Sequence, residues 1–273
     1  MRLPLVFAWF LWPLIVSGPL VFSNVLTWTA PYGTDEAPSP VGLGLGLASV
    51  LIGHAFTVLY YRIRTLDAFA RKSSSTWTTG AASPDTFWKE ASEHVRQVEG
   101  FALLGAYLTV YWMSGRMRRS YYDFAGGIEW DRVGLQLLVQ DGLQFAMHVF
   151  EHKVSKALYR TSHKPHHQYT SPRFFDSFRG SITDTLLMVL GPLFITSRLI
   201  ECNVWSYMTF GCLYVNGLCL IHSEHAHPWE PAFRRLGIGT SADHHAHHRL
   251  FVKNYGHLFT YFDRLSGSYV GLR

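Results

Sequence analysis

The sequence predicts an all-α protein embedded in a membrane. Of its 273 residues, 48% are apolar and 16% are charged, whereas soluble domains carry roughly 25% charged residues. Several apolar runs are long enough to cross the hydrocarbon layer as a helix, which takes roughly 20 residues at about 1.5 Å per residue. Regularly spaced histidine clusters lie at the ends of such runs. They predict that the helices carry a metal site.

The first apolar run, residues 3–28, is long enough for one span. Pro13 and Pro19 would kink it, which membrane helices tolerate. A cleaved signal peptide is the competing interpretation. It is disfavoured because the run is longer than the apolar region of a signal peptide and lacks a clear small-residue cleavage site after it. The turn-rich segment 29–40 has no Lys or Arg, and we expect a linker there.

The second apolar run, residues 41–61, is a further predicted span, and we expect His54 within it to be a packing residue. Residues 62–100 are polar and basic, so the positive-inside rule places them in the cytoplasm. The Ser- and Thr-rich stretch 73–84 predicts a flexible connector.

Further apolar segments complete the predicted bundle. Residues 101–113 form a short stretch with basic flanks, either a short span or half of a re-entrant hairpin. Residues 133–154 predict another helix, and the stretches 181–200 and 204–221 predict a helical hairpin. In total we expect four to six membrane segments.

Charge and cysteine content narrow the function. The net charge of +5 is explained more simply by basic flanks beside membrane spans than by nucleic-acid binding. Cys202, Cys212 and Cys219 have no CxxC spacing and lie in one apolar stretch. We therefore expect small buried residues and no disulfide framework.

Thirteen of the 15 histidines lie between His148 and His257, mostly in four clusters. The clusters are HVFEH (His148, His152), HKPHH (His163, His166, His167), HSEHAH (His222, His225, His227) and HHAHH (His244, His245, His247, His248). Offsets of three and four place side chains on one helical face, where imidazoles can bind one metal ion or flank two. The second cluster keeps this geometry only if it is helical, with Pro165 in the first turn.

A metal enzyme explains the clusters better than other kinds of histidine-rich protein do. A zinc-buffering loop or a transporter's metal-gathering loop is low in complexity and lacks repeated spacing. A transporter would also place its histidines inside the spans. Neutral imidazole suits iron, zinc and copper, and a structural zinc takes four ligands, so eight or more imidazoles imply two metal ions. Two irons held by histidine can use O2 to oxidise an unactivated C–H bond in a dry pocket.

The boxes HxxxH, HxxHH and HxxHH, with an extra histidine before the last, resemble those of the membrane-bound fatty acid hydroxylase and sterol desaturase superfamily. The resemblance covers roughly residues 141–269 and implies an all-α integral membrane helical bundle with a cytosol-facing, histidine-rich metal site. It divides the chain into N-terminal membrane helices with the basic loop, residues 1–133, and a catalytic domain, residues 134–273. It also implies a multi-pass protein of the endoplasmic reticulum.

The resemblance implies a non-haem di-iron centre and assigns its ligands residue by residue. The assigned ligands are His148, His152, His163, His166, His167, His222, His225, His244, His247 and His248. His227 is the alternative to His225, and His245 and His257 are expected beside the ligands. Ligand histidines commonly pass their other N–H to a carboxylate. The candidate carboxylates are Asp141, Glu151, Glu224 and Asp243.

The tail NYGHLFTYFDRLSGSY, residues 254–269, looks most like that of sterol C5-desaturases. Two positions differ from that branch. His222 is followed by Ser223 where the branch has an HD pair, and Arg179 or Asp184 stands where it has a histidine after the second box. The implied activity is O2-dependent desaturation or hydroxylation of a lipid, a sterol first and a fatty acid or sphingolipid as the alternative.

The resemblance also implies a separate electron donor. Electrons would come from NAD(P)H through cytochrome b5 or a similar protein, because the chain has no HPGG haem-binding motif of a fused cytochrome b5 domain. Basic residues beside the last box, Arg249 and Lys253, could dock an acidic donor. Anchoring at the membrane surface is their alternative role.

Overall fold

The part of the chain that the computed structural model describes is residues 3–25, 38, 40–71 and 83–271. Regular structure in this part is helical, with one isolated β-bridge between Ile238 and Phe259. The all-α prediction is therefore confirmed. The predicted linker 29–40 and connector 73–84 lie almost wholly outside the described residues, and the division of the chain near residue 133 stays a prediction.

The described helices are numbered in chain order. They are α1 (Leu3–Ile15), α2 (Ser17–Val25), α3 (Pro40–Ala70), α4 (Phe87–Arg96), α5 (Leu103–Met113), α6 (Trp130–Lys153), α7 (Lys156–Thr161), α8 (Ile182–Asp184), α9 (Gly191–Leu199), α10 (Val204–Ile221), α11 (Glu230–Arg235), α12 (Ser241–Leu250) and α13 (Tyr261–Ser266). A kinked segment, Val98–Ala102, with a non-helical backbone at Gly100, precedes α5, and a π-helical segment, Thr185–Leu190, precedes α9. Helix α8, the π-helical segment and α9 continue as one 18-residue helix.

Three of these helices are long and apolar enough to cross a membrane: α3, the α8–α9 helix and α10. Helices α1 and α2, bent by 44° at the break between them, add a fourth candidate span. The expected range of four to six segments is thus met only at its lower end. Helix α5, in the stretch 101–113, has 11 residues, which is too few to cross the hydrocarbon layer.

Helix α6 has 24 residues but is not a candidate span, because its buried face is polar. The buried polar residues of this face include Gln136, Gln140, Asp141 and Gln144. Burying a polar side chain is costly unless it is hydrogen-bonded. The Gln140 amide meets this requirement, because it donates to the Tyr214 hydroxyl at 3.1 Å and accepts from the Thr196 hydroxyl at 3.1 Å. These bonds hold α6 against α9 and α10. His148 and His152, near the end of α6, therefore lie at one end of the bundle.

Helix α10 is the centre of the bundle, with 16 of its 18 residues buried. It packs against α3, α6, α2 and α12. Helix α3 runs parallel to α10, since His54 bonds Asn216 at 3.2 Å and Tyr60, further along α3, bonds His227 beyond the end of α10. A Cβ on Gly53 would lie 2.4 Å from the carbonyl oxygen of Ile15, so glycine permits the close approach of α1. The three cysteines are buried and free.

Candidate metal centre

Nine buried or half-buried histidines converge in two adjacent groups beyond one end of the candidate spans. The first histidine group consists of His148, His152, His163, His167 and His247. The second histidine group consists of His166, His222, His244 and His248. Within each group the candidate ligand nitrogens lie within 4.8 Å of one another. The groups touch, since the His167 and His248 rings have centroids 4.8 Å apart.

Each HxxHH box divides between the two groups. His163 and His167 belong to the first group and His166 to the second, because residues His166–Gln168 form a 3-10 turn and not a regular α-helix. In α12, His247 faces the first group, whereas His244 and His248 face the second. The helical geometry that the second box would need for a single face is therefore not formed. His244, His247 and His248 do lie on one helix, α12, and flank both groups, as their spacing allows.

The start and the end of α12 are defined by residues of the local sequence. Thr240 and Asp243 form a capping box at its start, in which each side chain accepts the other residue's backbone N–H. Such caps satisfy N–H groups that the first helical turn leaves without partners. The helix ends at Phe251, which has a left-handed backbone with φ 60°. All residues from Ser241 to His248 are buried, so both ends of this short buried helix are defined by local bonds.

The hydrogen bonds of the Nδ1 atoms fix the protonation of several rings. A backbone carbonyl can only accept, so an Nδ1 atom bonded to one carries the proton and leaves a lone pair on Nε2. The Nδ1 atoms of His148, His166, His222 and His247 bond to the carbonyl oxygens of Tyr255, Arg179, Leu218 and Lys253, each at 2.7 Å. These four histidines therefore present unprotonated Nε2 atoms to the interior of the two groups.

The distance between two of these Nε2 atoms indicates that metal ions fit the site. The Nε2 atoms of His166 and His222 lie 3.3 Å apart, and with both Nδ1 atoms protonated neither can donate to the other. A cation between them would turn this repulsion of lone pairs into coordination. The Nε2 atoms of His148 and His163 are likewise buried without a hydrogen-bond partner. The donor set is thus suited to two metal ions that accept imidazole nitrogen.

Burial favours the neutral form of two rings at the site, His152 and His257. Burial, reinforced by neighbouring imidazoles, lowers the pKa of His152 to about 3 and that of His257 to about 3. Neutral imidazole is the form that binds metal ions. The environment therefore keeps these rings available as ligands well below neutral pH.

Asp184 is the carboxylate that contacts a ring of the first histidine group most closely. Its Oδ1 atom lies 2.9 Å from the Nδ1 atom of His163. Glu151, a predicted carboxylate partner, has its Oε2 atom 3.8 Å from the same nitrogen and accepts a short bond from Ser162. In the sequence, Asp184 differs from the desaturase pattern, and its position shortly after the second box is the signal that relates it to that box.

Two other predicted carboxylate partners have different roles. Asp141 accepts the backbone N–H groups of His257, Leu258 and Phe259 at 2.7–3.1 Å. Asp243 accepts from Thr240 at the start of α12. The prediction that these two carboxylates orient ligand histidines is wrong, because Asp141 binds backbone N–H groups of the tail and Asp243 caps α12. Glu224 accepts from the Tyr61 hydroxyl at 2.8 Å.

The remaining histidines of the clusters lie outside both groups. The His225 ring packs 5.8 Å from Tyr61, with its Nε2 atom 3.7 Å from Glu224, so the structure does not bring this predicted ligand into either group. The Nδ1 atom of His227 bonds to the Tyr60 hydroxyl at 2.9 Å. The extra histidine between the last two boxes is therefore represented in the groups by His222 alone.

His245 and His257 lie beside the groups, as expected from the sequence. His245 donates from Nε2 to the carbonyl oxygen of Ser223 at 3.2 Å. The His257 ring centroid lies 5.2 Å from that of His148 and 5.3 Å from that of His244. His257 therefore touches both groups.

Two adjacent groups of neutral imidazoles at the end of a membrane helix bundle define a membrane-bound metalloenzyme with a two-metal site. Residues 133–268 match the family described as Fatty acid hydroxylase. The chain is also 43% identical over 272 residues to an alternative squalene epoxidase of Phaeodactylum tricornutum, covering 94% of this chain and 78% of that protein. The chain belongs to the fatty acid hydroxylase family and is an oxidoreductase, which confirms the predicted superfamily and enzyme class.

Other relatives match mainly the histidine-bearing half. Methylsterol monooxygenase 1 of Danio rerio is 32% identical over 124 residues, covering 43% of this chain and 41% of that protein. A cholesterol 25-hydroxylase-like protein of the same organism is 33% identical over 156 residues, covering 55% and 60%. No solved structure matches the chain.

Proposed function

We propose that the protein is a di-iron monooxygenase that uses O2 to epoxidise squalene or a closely similar acyclic isoprenoid. The observation that carries this proposal is the pairing of two histidine groups in one bundle. The choice of substrate is supported by the similarity to the alternative squalene epoxidase, which extends over 94% of the chain. Iron is favoured over zinc because this family oxidises its substrates and zinc has no redox chemistry.

The reaction balances with two electrons from outside. Squalene, O2, two electrons and two protons give squalene epoxide and water. Two irons, when bound, would supply the activation of O2. The chain's own part is to hold the irons through the two histidine groups, which we propose as the ligand set without His225. Its backbone carbonyls keep the facing Nε2 atoms unprotonated, for example at His166 and His222.

One pocket brings apolar side chains next to the histidine groups. A small pocket of about 40 Å³ adjoins both histidine groups, and we call it the metal pocket. Its apolar wall includes Phe178, Met188, Val189 and Leu218. Polar side chains, among them Gln144, Ser177 and Asp184, line the rest of the pocket. We propose that the apolar wall contacts the end of an uncharged hydrocarbon and that the histidines lie opposite it.

Sterol oxidation is the second candidate function. The tail at residues 254–269 favours C5 desaturation, and the methylsterol monooxygenase matched over 43% of the chain favours methyl hydroxylation. In the structure the tail is a packing element, because Asp263 accepts the backbone N–H groups of Tyr255 and Gly256 at 2.9 and 2.7 Å. That role is compatible with any substrate and does not select a sterol.

We propose that an acidic electron donor such as cytochrome b5 docks over the histidine groups, at the membrane of the endoplasmic reticulum. Exposed basic residues follow the boxes directly, and we call them the basic face: Lys153, Lys156, Arg160, Lys164 and Arg249. The only acidic residue in stretches 148–169 and 244–258 is Glu151, which is buried. Such a surface attracts an acidic partner electrostatically.

The histidine groups lie close beneath this face. The half-buried Phe251 ring lies 5.0 Å from the ring of His167, and the Tyr159 ring lies 4.8 Å from that of His152. A donor on the basic face would therefore approach the first histidine group through a single layer of aromatic side chains.

The test uses isotopic oxygen. Membranes containing the protein, NADPH, cytochrome b5 and its reductase are incubated with squalene or candidate sterols under 18O2. Epoxidation puts one 18O atom into squalene, hydroxylation puts one into a sterol, and desaturation leaves the product unlabelled. We expect labelled squalene epoxide, and none with His247→Ala. An unlabelled sterol alkene as the sole product would overturn the proposal in favour of the desaturase.

A further inference from the structure

The bundle contains an apolar cavity of about 330 Å³ between α3, α5, α9 and α10, which we call the membrane cavity. Leu47, Val50, Leu108, Leu193 and Met208 are among its lining residues, none of which is charged. Its polar surface is small, so it suits the hydrocarbon body of a lipid and not a headgroup.

The membrane cavity and the metal pocket lie along the same helices. On α10, Tyr214 lines the membrane cavity, Leu218 one turn later lines the metal pocket, and His222 one turn further belongs to the second histidine group. On the α8–α9 helix, Leu193 lines the cavity and Val189 lines the pocket. Residues four apart share one helical face, so these rows lead from the cavity to the metal centre.

Two aromatic rings separate the two spaces. Phe101 lines the membrane cavity and Phe178 lines the metal pocket. Their rings meet edge to face, with centroids 5.5 Å apart. His54, the expected packing residue, and His94 support the Phe101 ring at 4.7 and 5.4 Å.

A kink and a π-helical segment lie at this partition. The kinked segment Val98–Ala102 carries Phe101, and the π-helical segment Thr185–Leu190 carries Val189. The Thr185 hydroxyl donates to the Glu99 carbonyl oxygen at 2.5 Å and joins the two segments. π-helical turns are rare and concentrate at functional sites, and here both segments make the helical wall irregular where the cavity meets the pocket.

We propose that the membrane cavity holds the body of a long, uncharged, chain-like isoprenoid whose end passes the Phe101–Phe178 partition into the metal pocket. This inference rests on the proposed function and specifies how the substrate is bound. The metal pocket, at about 40 Å³, has room for about three water-sized groups. It accepts the end of a chain but not a fused ring system. From Val204 to Leu218 the path along α10 is roughly 21 Å long at about 1.5 Å per residue.

Glycines permit a test with a matched control. Gly105 and Gly46 line the cavity from α5 and α3, and a Cβ at either position meets nothing closer than 3.5 Å. Gly105→Leu and Gly46→Leu therefore fill the cavity without a backbone clash. Gly44 on α3 is exposed, is not part of the lining, and has nothing within 4 Å of an added Cβ. Gly44→Leu is the control.

The first readout is binding, which does not require turnover. Purified protein is incubated with deuterated squalene, separated from free lipid, and the retained squalene is quantified by mass spectrometry. We expect a loss of at least tenfold in Gly105→Leu and Gly46→Leu, and less than twofold in Gly44→Leu. Thermal unfolding verifies the fold, and the second cavity variant decides the result if one variant is unfolded. Wild-type retention in both cavity variants would overturn the inference.

The second readout compares chain lengths. A C15 acyclic isoprenoid hydrocarbon has half the carbon atoms of squalene, so we expect it to fill less of the cavity when its end is in the metal pocket. We expect Gly105→Leu to lower kcat/KM at least tenfold for squalene and less than threefold for the C15 chain. Equal losses for both would contradict the cavity's role. If wild-type protein retains squalene but never oxidises it, the proposed function fails while the cavity assignment stands.

Discussion

The Nδ1 atom of His163 lies 2.9 Å from the Oδ1 atom of Asp184, across 21 residues of sequence. This bond orients the ring and leaves its Nε2 atom, which is buried without a hydrogen-bond partner, for the first histidine group. Asp184 therefore links the second box to the start of the α8–α9 helix.

Asp184→Asn will weaken metal binding. Replacing a carboxylate that orients a ligand histidine typically costs about 10- to 100-fold in metal affinity. Competition with a chelator, followed by iron quantification, measures the effect. Asp131→Asn, at a side chain that is 80% exposed, is the control. Unchanged affinity in Asp184→Asn would show that the carboxylate does not orient a ligand.

Asp141→Asn will destabilise the fold without removing a ligand. The carboxylate is fully buried and accepts three backbone N–H groups of the tail, and hydrogen bonds to charged groups contribute about 1.5–3 kcal/mol each. The asparagine keeps one acceptor oxygen, so we expect a loss of about 2–4 kcal/mol. Thermal unfolding in detergent measures it. A melting temperature equal to that of wild type would contradict this role.

Charge reversal on the basic face will slow reduction by an acidic donor. Lys156→Glu and Arg160→Glu together replace attraction by repulsion, and we expect a tenfold or greater fall in the rate of electron transfer from cytochrome b5 at low salt. High salt screens surface charges and will therefore reduce the difference in electron-transfer rate between the variant and wild type. Arg132→Glu, near the opposite end of α6, is the control. An equal rate in the basic-face variant would exclude this surface as the docking site.

Acid will destabilise the protein through His94, which faces His54, Cys219 and Arg179. Burial lowers the pKa of His94 to about 3. Between about pH 6.5 and pH 3 the unfolded state binds a proton that the folded state does not. The free energy of unfolding therefore decreases as the pH is lowered, by up to about 1.4 kcal/mol per pH unit. His94→Gln will flatten the pH dependence of the melting temperature. An unchanged slope would contradict a buried neutral His94.

The sequence predicts the metal-binding histidines, because imidazole is itself the ligand and the spacing within each box is local. It does not predict which histidines form each group. Offsets of three and four identify a shared helical face, but they cannot show that His166 belongs to the second histidine group while His163 and His167 belong to the first. That division follows from a 3-10 turn within the second box and from the docking of α12, which is a tertiary feature.

Other parts of the site depend on contacts across the chain. The carbonyl oxygens that orient His148 and His247 belong to Tyr255 and Lys253, and a backbone carbonyl has no signature in sequence. The polar face of α6 shows why an apolar-looking stretch is not a candidate span. Its glutamines, such as Gln140, are buried against other helices.

The most direct test of the account is metal content per chain. Purified, active wild-type protein is expected to contain two irons per polypeptide, and His225→Ala to retain both. His248→Ala and His247→Ala, each removing a member of one histidine group, are expected to lose iron. Full iron content in both of these variants, or its loss in His225→Ala alone, would contradict the assignment of the two groups as the metal centre.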